Sequence, residues 1–209
     1  MTLRSINPII AIAAALLAAY APCFAPVSHA CQADMQGGQQ TDKRKLTTVQ
    51  TVAADVAGAK GAVEVRYLDL PFGAATFGYL EKGGDDYYSN RTWPFAHLRL
   101  ATAATIEGTR LAPGDYVMYI TPKGAASEMT LTLASFKPSA PGGTFLVPGN
   151  VFVETPKDAT VVVTKPVRFA SGASPATDRL VIGVEPAPGG AAIKVQYGDR
   201  VLTESVQIK

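Results

Sequence analysis

The stretch IKVQYGDRVLTESVQI, residues 193–208, is where the fold can be read. Ile193, Val195 and Tyr197 alternate with Lys194 and Gln196, Gly198-Asp199 supplies a turn, and Val201 to Ile208 closes the run. A period of two places Ile193, Val195 and Tyr197 on one face of a strand and the polar residues on the other. The pattern recurs upstream. Val63-Glu64-Val65-Arg66-Tyr67 alternates, and Met129, Leu131 and Leu133 alternate with Thr130 and Thr132. Val161-Val162-Val163 is continuously apolar, as expected of a strand buried on both faces. Turn signals separate the runs at Glu107-Gly108, Pro113-Gly114, Pro122-Lys123-Gly124, Pro141-Gly142-Gly143, Pro148-Gly149-Asn150 and Pro188-Gly189-Gly190. From Leu46 onward no segment has sustained 3.6-residue apolar spacing, and no fixed period repeats. Many short strands separated by turns predict an all-β chain, an antiparallel β-sandwich of Greek-key or jelly-roll-like form over residues 46–209.

Composition narrows the function classes. Of 209 residues, 47% are hydrophobic and 17% charged, which suits a chain with a buried core rather than a disordered polyelectrolyte. Nineteen basic against 17 acidic residues give a net charge of +2, which excludes a strongly basic nucleic-acid binder. Two cysteines exclude a disulfide scaffold and a four-cysteine zinc site.

The N-terminal segment reads as an address. Arg4 precedes an apolar run from Ile9 to Tyr20, about a dozen residues, where a membrane-crossing helix needs about 20. With Ser28-His29-Ala30 behind it, residues 1–30 are expected to be a secretory signal peptide. Cys31 would then be the first mature residue, and two outcomes stand open: plain cleavage, or lipidation of its sulfur as in a bacterial lipoprotein. Residues 31–45, polar and holding Gly37-Gly38-Gln39-Gln40 and Lys43-Arg44-Lys45, are expected to form a flexible tether. The expected location is the periplasm or outer envelope, with membrane contact only through a lipid on Cys31. Beyond the signal segment one histidine remains, His97, so zinc sites of two or three histidines cannot be built.

Leu111-Ala112-Pro113-Gly114-Asp115-Tyr116-Val117 has the form of a turn feeding a strand with a tyrosine close behind. Such a tyrosine buries its ring and bonds nearby backbone through its hydroxyl, like the tyrosine corner of Greek-key sandwiches. Ile106 to Tyr116 followed by Ile120-Thr121-Pro122, the upstream Trp93, and Ile193 to Ile208 with its Tyr197-Gly198-Asp199 turn together resemble a bacterial family catalogued as domain of unknown function 2911. The resemblance spans Val63 to Ile208 and implies export and a β-rich domain, with no known reaction. Where members carry Trp-Arg-x-Gly-x-Asn, this chain has Trp93-Pro94-Phe95-Ala96-His97-Leu98-Arg99, so no residue role is carried over.

The polar segment of most interest is Gly83-Gly84-Asp85-Asp86-Tyr87-Tyr88-Ser89-Asn90-Arg91-Thr92-Trp93. Ring faces at Tyr87, Tyr88 and Trp93 beside the planar groups of Asn90 and Arg91 suit the apolar faces of a sugar or an extended peptide. The alternative makes Trp93 a core anchor, with Tyr87 and Tyr88 packed over a sheet end. Asp85-Asp86 lacks the further ligands of a calcium site, so no metal is expected, and no cofactor motif occurs. In a strand, Phe95, His97 and Arg99 would share a face, with His97 toward solvent or a polar edge. The first functional reading is a non-catalytic envelope module binding a glycan, a peptide or a partner protein. The second is a small envelope hydrolase using His97 with Asp85 or Asp86. A third is a subunit of a larger envelope assembly.

Overall fold

The computed structural model describes residues 47–56, 58–71, 93–122, 129–149 and 153–208. Eleven strands run through them, and no helix occurs among the described residues. They are β1 (Val49–Val56), β2 (Ala59–Leu68), β3 (Trp93–Leu100), β4 (Ala104–Ile106), β5 (Thr109–Leu111) and β6 (Gly114–Pro122). There follow β7 (Met129–Phe136), β8 (Thr160–Val167), β9 (Leu180–Ala187), β10 (Gly190–Tyr197) and β11 (Arg200–Ile208).

They form two antiparallel sheets, ordered β1-β2-β3-β6-β7-β8 and β5-β4-β11-β10-β9. The packed pair is the antiparallel β-sandwich the alternation predicts. Inward side chains of β2 (Val63, Val65, Tyr67), β3 (Leu98, Leu100), β6 (Met118, Ile120) and β7 (Leu131, Leu133) meet Leu180, Ile182, Ile193, Val195, Leu202 and Val206 of the other sheet.

The quoted 193–208 stretch is the β10–β11 hairpin, with Val195 opposite Leu202 and Tyr197 opposite Arg200 around Gly198-Asp199. At its far end Gly190 has no room for a side chain, because a Cβ there would lie 1.9 Å from the Val206 carbonyl oxygen. Glu107-Gly108 turns β4 into β5 with positive φ at both residues, 49° and 76°. That is the backbone a two-residue hairpin requires. The tyrosine corner is present: Tyr116 is buried and its hydroxyl donates to the Ala112 carbonyl at 2.6 Å.

The 161–163 run corrects one expectation. β8 is not buried on both faces; it is the outermost strand of its sheet, and Val161 is 55% exposed. An outermost strand has one ladder partner, and a continuous apolar run cannot by itself distinguish that position from a central one. Two features on the same strand suit an edge. Pro166 offers no N–H to a further strand, and Lys165 turns its charge inward.

The connection from β7 to β8 does not run straight. Its residues 137–149 pass over the outer face of the six-stranded sheet: Thr144 meets His97 on β3, Arg66 on β2 donates to the Gly142 carbonyl, and the Gly149 N–H donates to the Thr47 carbonyl just before β1. This strap gives the outer face a cover of its own. Val117 and Ala134, in register with His97 on neighbouring strands, are buried as well.

Candidate functional site

Directly opposed residues of an antiparallel sheet share a face. Arg66, His97, Val117 and Ala134 form one outward row across β2, β3, β6 and β7, and Glu64, Arg99, Asp115 and Phe136 form the next. His97 and Asp115 are therefore diagonal neighbours, and His97 Nε2 lies 2.8 Å from Asp115 Oδ1. The other ring nitrogen, Nδ1, lies 3.1 Å from Thr144 Oγ1 in the strap, and that hydroxyl oxygen accepts the Leu146 N–H at 3.3 Å. With a neutral imidazole, Nε2–H donates to the carboxylate and the threonine hydroxyl donates to Nδ1; with a protonated ring both nitrogens donate, and Thr144 Oγ1 accepts.

The ring is enclosed. Phe136 stands edge-on to it at 5.0 Å between centroids, and Phe145 of the strap lies at 5.9 Å. His97 is 1% exposed. Burial pushes its pKa below the ordinary 6.5, against the hydrogen bond and charge of Asp115; the Arg66 charge adds to the lowering, while Glu64 opposes it. The expectation of a histidine facing solvent or a polar edge is thus corrected. It is outward on its sheet, but the strap covers it. The expected Phe95-His97-Arg99 face is also interrupted, because the β3–β6 register shifts between Pro94 and Ala96.

A second charged group joins the sheets at the opposite margin from β1. Lys165 Nζ on β8 lies 2.7 Å from Glu204 Oε2 on β11 and 2.8 Å from Glu107 Oε1 in the β4–β5 turn. The Glu204 side chain is 4% exposed. Burial raises its pKa, against the contact and charge of Lys165. Burial also acts to lower the Lys165 pKa, but hydrogen bonding to Glu107 and Glu204 outweighs it and the net shift is upward. Contact with Lys165 lowers the pKa of Glu107.

A third group fixes the start of the β2–β3 connection. Arg179 Nη1 donates to Asp69 Oδ2 at 3.0 Å and to the Asp69 carbonyl at 3.1 Å, and Asp69 Oδ1 accepts the Thr48 N–H. The Leu180 N–H donates to the Leu70 carbonyl at 2.8 Å, and the Tyr197 hydroxyl donates to the Pro71 carbonyl. Residues 69–71 are thereby tied to β9 and β10 of the other sheet.

The sequence-predicted residues Tyr87, Tyr88, Asn90 and Arg91 lie outside the described residues, as do Asp85, Asp86 and Cys31. Trp93 opens β3 with its backbone opposite Ile120. Sequence reasoning missed Asp115 as the partner of His97. The signal was present in part, since alternation from the buried Tyr116 sends Asp115 to the opposite face. Thr144 had no signal, because only the course of the strap brings it to β3. Among the described residues no three metal-ligating side chains cluster, and no helix is long and apolar enough to cross a membrane. Comparison with protein-family models, with curated proteins and with solved structures finds no match to this chain.

Proposed function

We propose that this chain is an exported, non-catalytic binding module of the cell envelope that takes a glycan, a peptide or a partner protein through the connection between β2 and β3. One observation carries the reading. β2 and β3 pair directly, with Tyr67 opposite Ala96, yet residues 69–92 intervene where a tight turn would suffice. Binding residues are disproportionately found on segments that connect the strands of a rigid scaffold. This one starts from a root held by Arg179, Leu180 and Tyr197, and it carries Tyr87, Tyr88, Asn90 and Arg91. A recognition segment set on a rigid scaffold needs such a fixed start. The resemblance to the exported family and the leader-like residues 1–30 support the location.

The test is titration of the protein with soluble cell-wall glycan fragments and with peptides, following the emission of Trp93, the sole tryptophan. A saturable change is expected, with Tyr88→Ala weakening binding about tenfold, as loss of one stacking ring would. No saturable change with either ligand class, or binding untouched by Tyr87→Ala, Tyr88→Ala and Arg91→Ala, would overturn the assignment.

A second reading, a small hydrolase using His97 with a nearby aspartate, is favoured by the Thr144–His97–Asp115 chain, a hydroxyl on an imidazole on a carboxylate. Against it, the imidazole is enclosed and Thr144 Oγ1 also accepts the Leu146 N–H. Loss of a measured hydrolysis in both Thr144→Val and His97→Gln would restore it.

A further inference from the structure

We infer that this chain docks on an anionic lipid surface by the end of the sandwich at which β1 begins, with Lys43-Arg44-Lys45 as the electrostatic contact. Antiparallel pairing fixes which segments share that end. Val49 opens β1 opposite Leu68, the last residue of β2, and Trp93 opens β3 opposite Ile120 near the close of β6. β7 and β8 meet there as Met129 and Val167, and β9 and β10 as Leu180 and Tyr197. The chain before residue 47 therefore joins the domain at the end where the β2–β3 connection leaves it. The two exits are bonded to each other: the Thr48 N–H donates to Asp69 Oδ1, and the Asp69 N–H donates to the Thr48 carbonyl at 3.2 Å.

Chain length bounds the position of the triplet. Lys45 is three residues before Thr48, so its Cα lies within about 12 Å of that root whatever path the chain takes, and the Lys43 Cα lies within about 19 Å. Two carboxylates of this end are already engaged: Asp69 by Thr48 and Arg179, and Asp199, which lies 3.4 Å from Arg200. Exposed Arg168 and Asp178 cancel in charge. Outside the described residues, Glu81, Asp85 and Asp86 exceed Lys82 and Arg91 by one, and Lys123 offsets Glu128. Asp42 against the three cations leaves +2 over residues 42–45, so the end is positive, with its excess in consecutive side chains. Three consecutive cations span about one Debye length, roughly 8 Å at physiological salt, and act on an anionic surface together.

Docking by this end goes beyond a lipid on Cys31. Such a lipid would keep the chain near a bilayer without orienting it, because the 16 residues from Cys31 to Thr47 reach up to roughly 55 Å. A charged contact within three to five residues of the Thr48–Asp69 root turns one end of the sandwich toward the surface. The inference does not depend on the glycan or peptide recognition proposed above, but it would bring that recognition to the lipid surface.

The test mixes the full chain, expressed with its own leader and with Cys31→Ser to exclude a lipid, with vesicles of phosphatidylcholine alone or with about 30% phosphatidylglycerol. Flotation at about 0.1 M salt should recover the chain with the anionic vesicles and not with the neutral ones, and about 0.5 M salt should release it. Lys43→Gln, Arg44→Gln and Lys45→Gln together should weaken binding on the order of a hundredfold, about fivefold for each cation, with the circular dichroism spectrum unchanged. Orientation is read with brominated lipid, which quenches a nearby indole. Trp93, the sole tryptophan, should be quenched. Lys157→Trp, at an exposed position near the far end where β8 starts, should add emission that the bromine does not reach. Equal binding to both vesicles, binding unchanged in the triple variant, or equal quenching at the two ends overturns the proposal. No glycan or peptide is present, so this docking and the recognition role can fail separately.

Discussion

Replacing Lys165 by Met tests the inter-sheet clasp through its pH dependence. In the native chain Lys165 Nζ lies 2.7 Å from a Glu204 side chain that is 4% exposed. At that distance the direct attraction is about 6 kcal/mol for an effective dielectric of about 20, but most of it offsets the desolvation of the pair. Breaking such a pair from one side typically costs about 3 to 5 kcal/mol, because the remaining charge stays buried. Glu204 has an escape, since it can take up a proton. That costs about 1.4 kcal/mol for each pH unit above its ordinary 4.5, which caps the charge penalty near 4 kcal/mol at pH 7.5 and near 1.4 kcal/mol at pH 5.5. The sign follows from linkage. Without lysine the folded state holds the Glu204 proton to higher pH than the unfolded chain does, so the variant loses stability as pH rises above 4.5 until that raised pKa is passed. Urea unfolding followed by circular dichroism should show Lys165→Met destabilised by about 3 kcal/mol at pH 7.5 and by clearly less at pH 5.5. Lys165→Met with Glu204→Leu should recover most of the loss at pH 7.5. A penalty independent of pH, or one under about 0.5 kcal/mol at pH 7.5, would refute the reasoning, because no buried carboxylate would then have been stranded.

Three further outcomes are expected. Tyr116→Phe, which removes the hydroxyl bonded to Ala112, should cost about 1 kcal/mol in urea unfolding and leave the circular dichroism spectrum unchanged. Gly190→Ala should cost more than about 3 kcal/mol or prevent folding, since its Cβ meets the Val206 carbonyl at 1.9 Å; Gly189→Ala, in open space but at φ +72°, should cost about 1 kcal/mol. Because burial sets the His97 pKa below 6.5, the unfolded chain binds the proton first. The urea midpoint should therefore fall as pH drops from about 6.5 toward the folded pKa, and His97→Gln should flatten that part of the profile.

The sandwich was legible because its inward faces carry apolar residues with a period of two at β2, β7 and β10, and at β11 with Glu204 as the one break. The turn at Glu107-Gly108 and the tyrosine corner at Tyr116 were legible for a similar reason, since each is a local device whose residues adjoin in sequence. Strand position within a sheet was not legible. Val161-Val162-Val163 has the composition of a central strand, and what makes it an edge is where Lys165 and Pro166 fall relative to residues of another sheet. The site shows the same divide. Asp115 is reachable from alternation about Tyr116, but the enclosure of His97 depends on a strap whose Thr144 lies 47 residues away. Register shifts such as that between Pro94 and Ala96 also leave no mark in a pattern of apolar and polar residues.

The three polar clusters share a role that bears on where function can lie. His97 with Asp115 and Thr144 fastens the strap, Asp69 with Arg179 fixes the root of the β2–β3 connection, and Lys165 with Glu204 and Glu107 closes the margin at β8. The first two sit where a connection meets a sheet, and the third lies at the edge of the space between the two inner faces, which are otherwise almost entirely apolar. Buried charges that are paired at margins hold geometry. A domain built in this way offers rigid points from which connections depart. The connection that starts at Asp69 and Pro71 is held to the other sheet at Arg179 and Tyr197 and leads to a strand that pairs with the one it leaves, which is the rigid start that the proposed binding role requires.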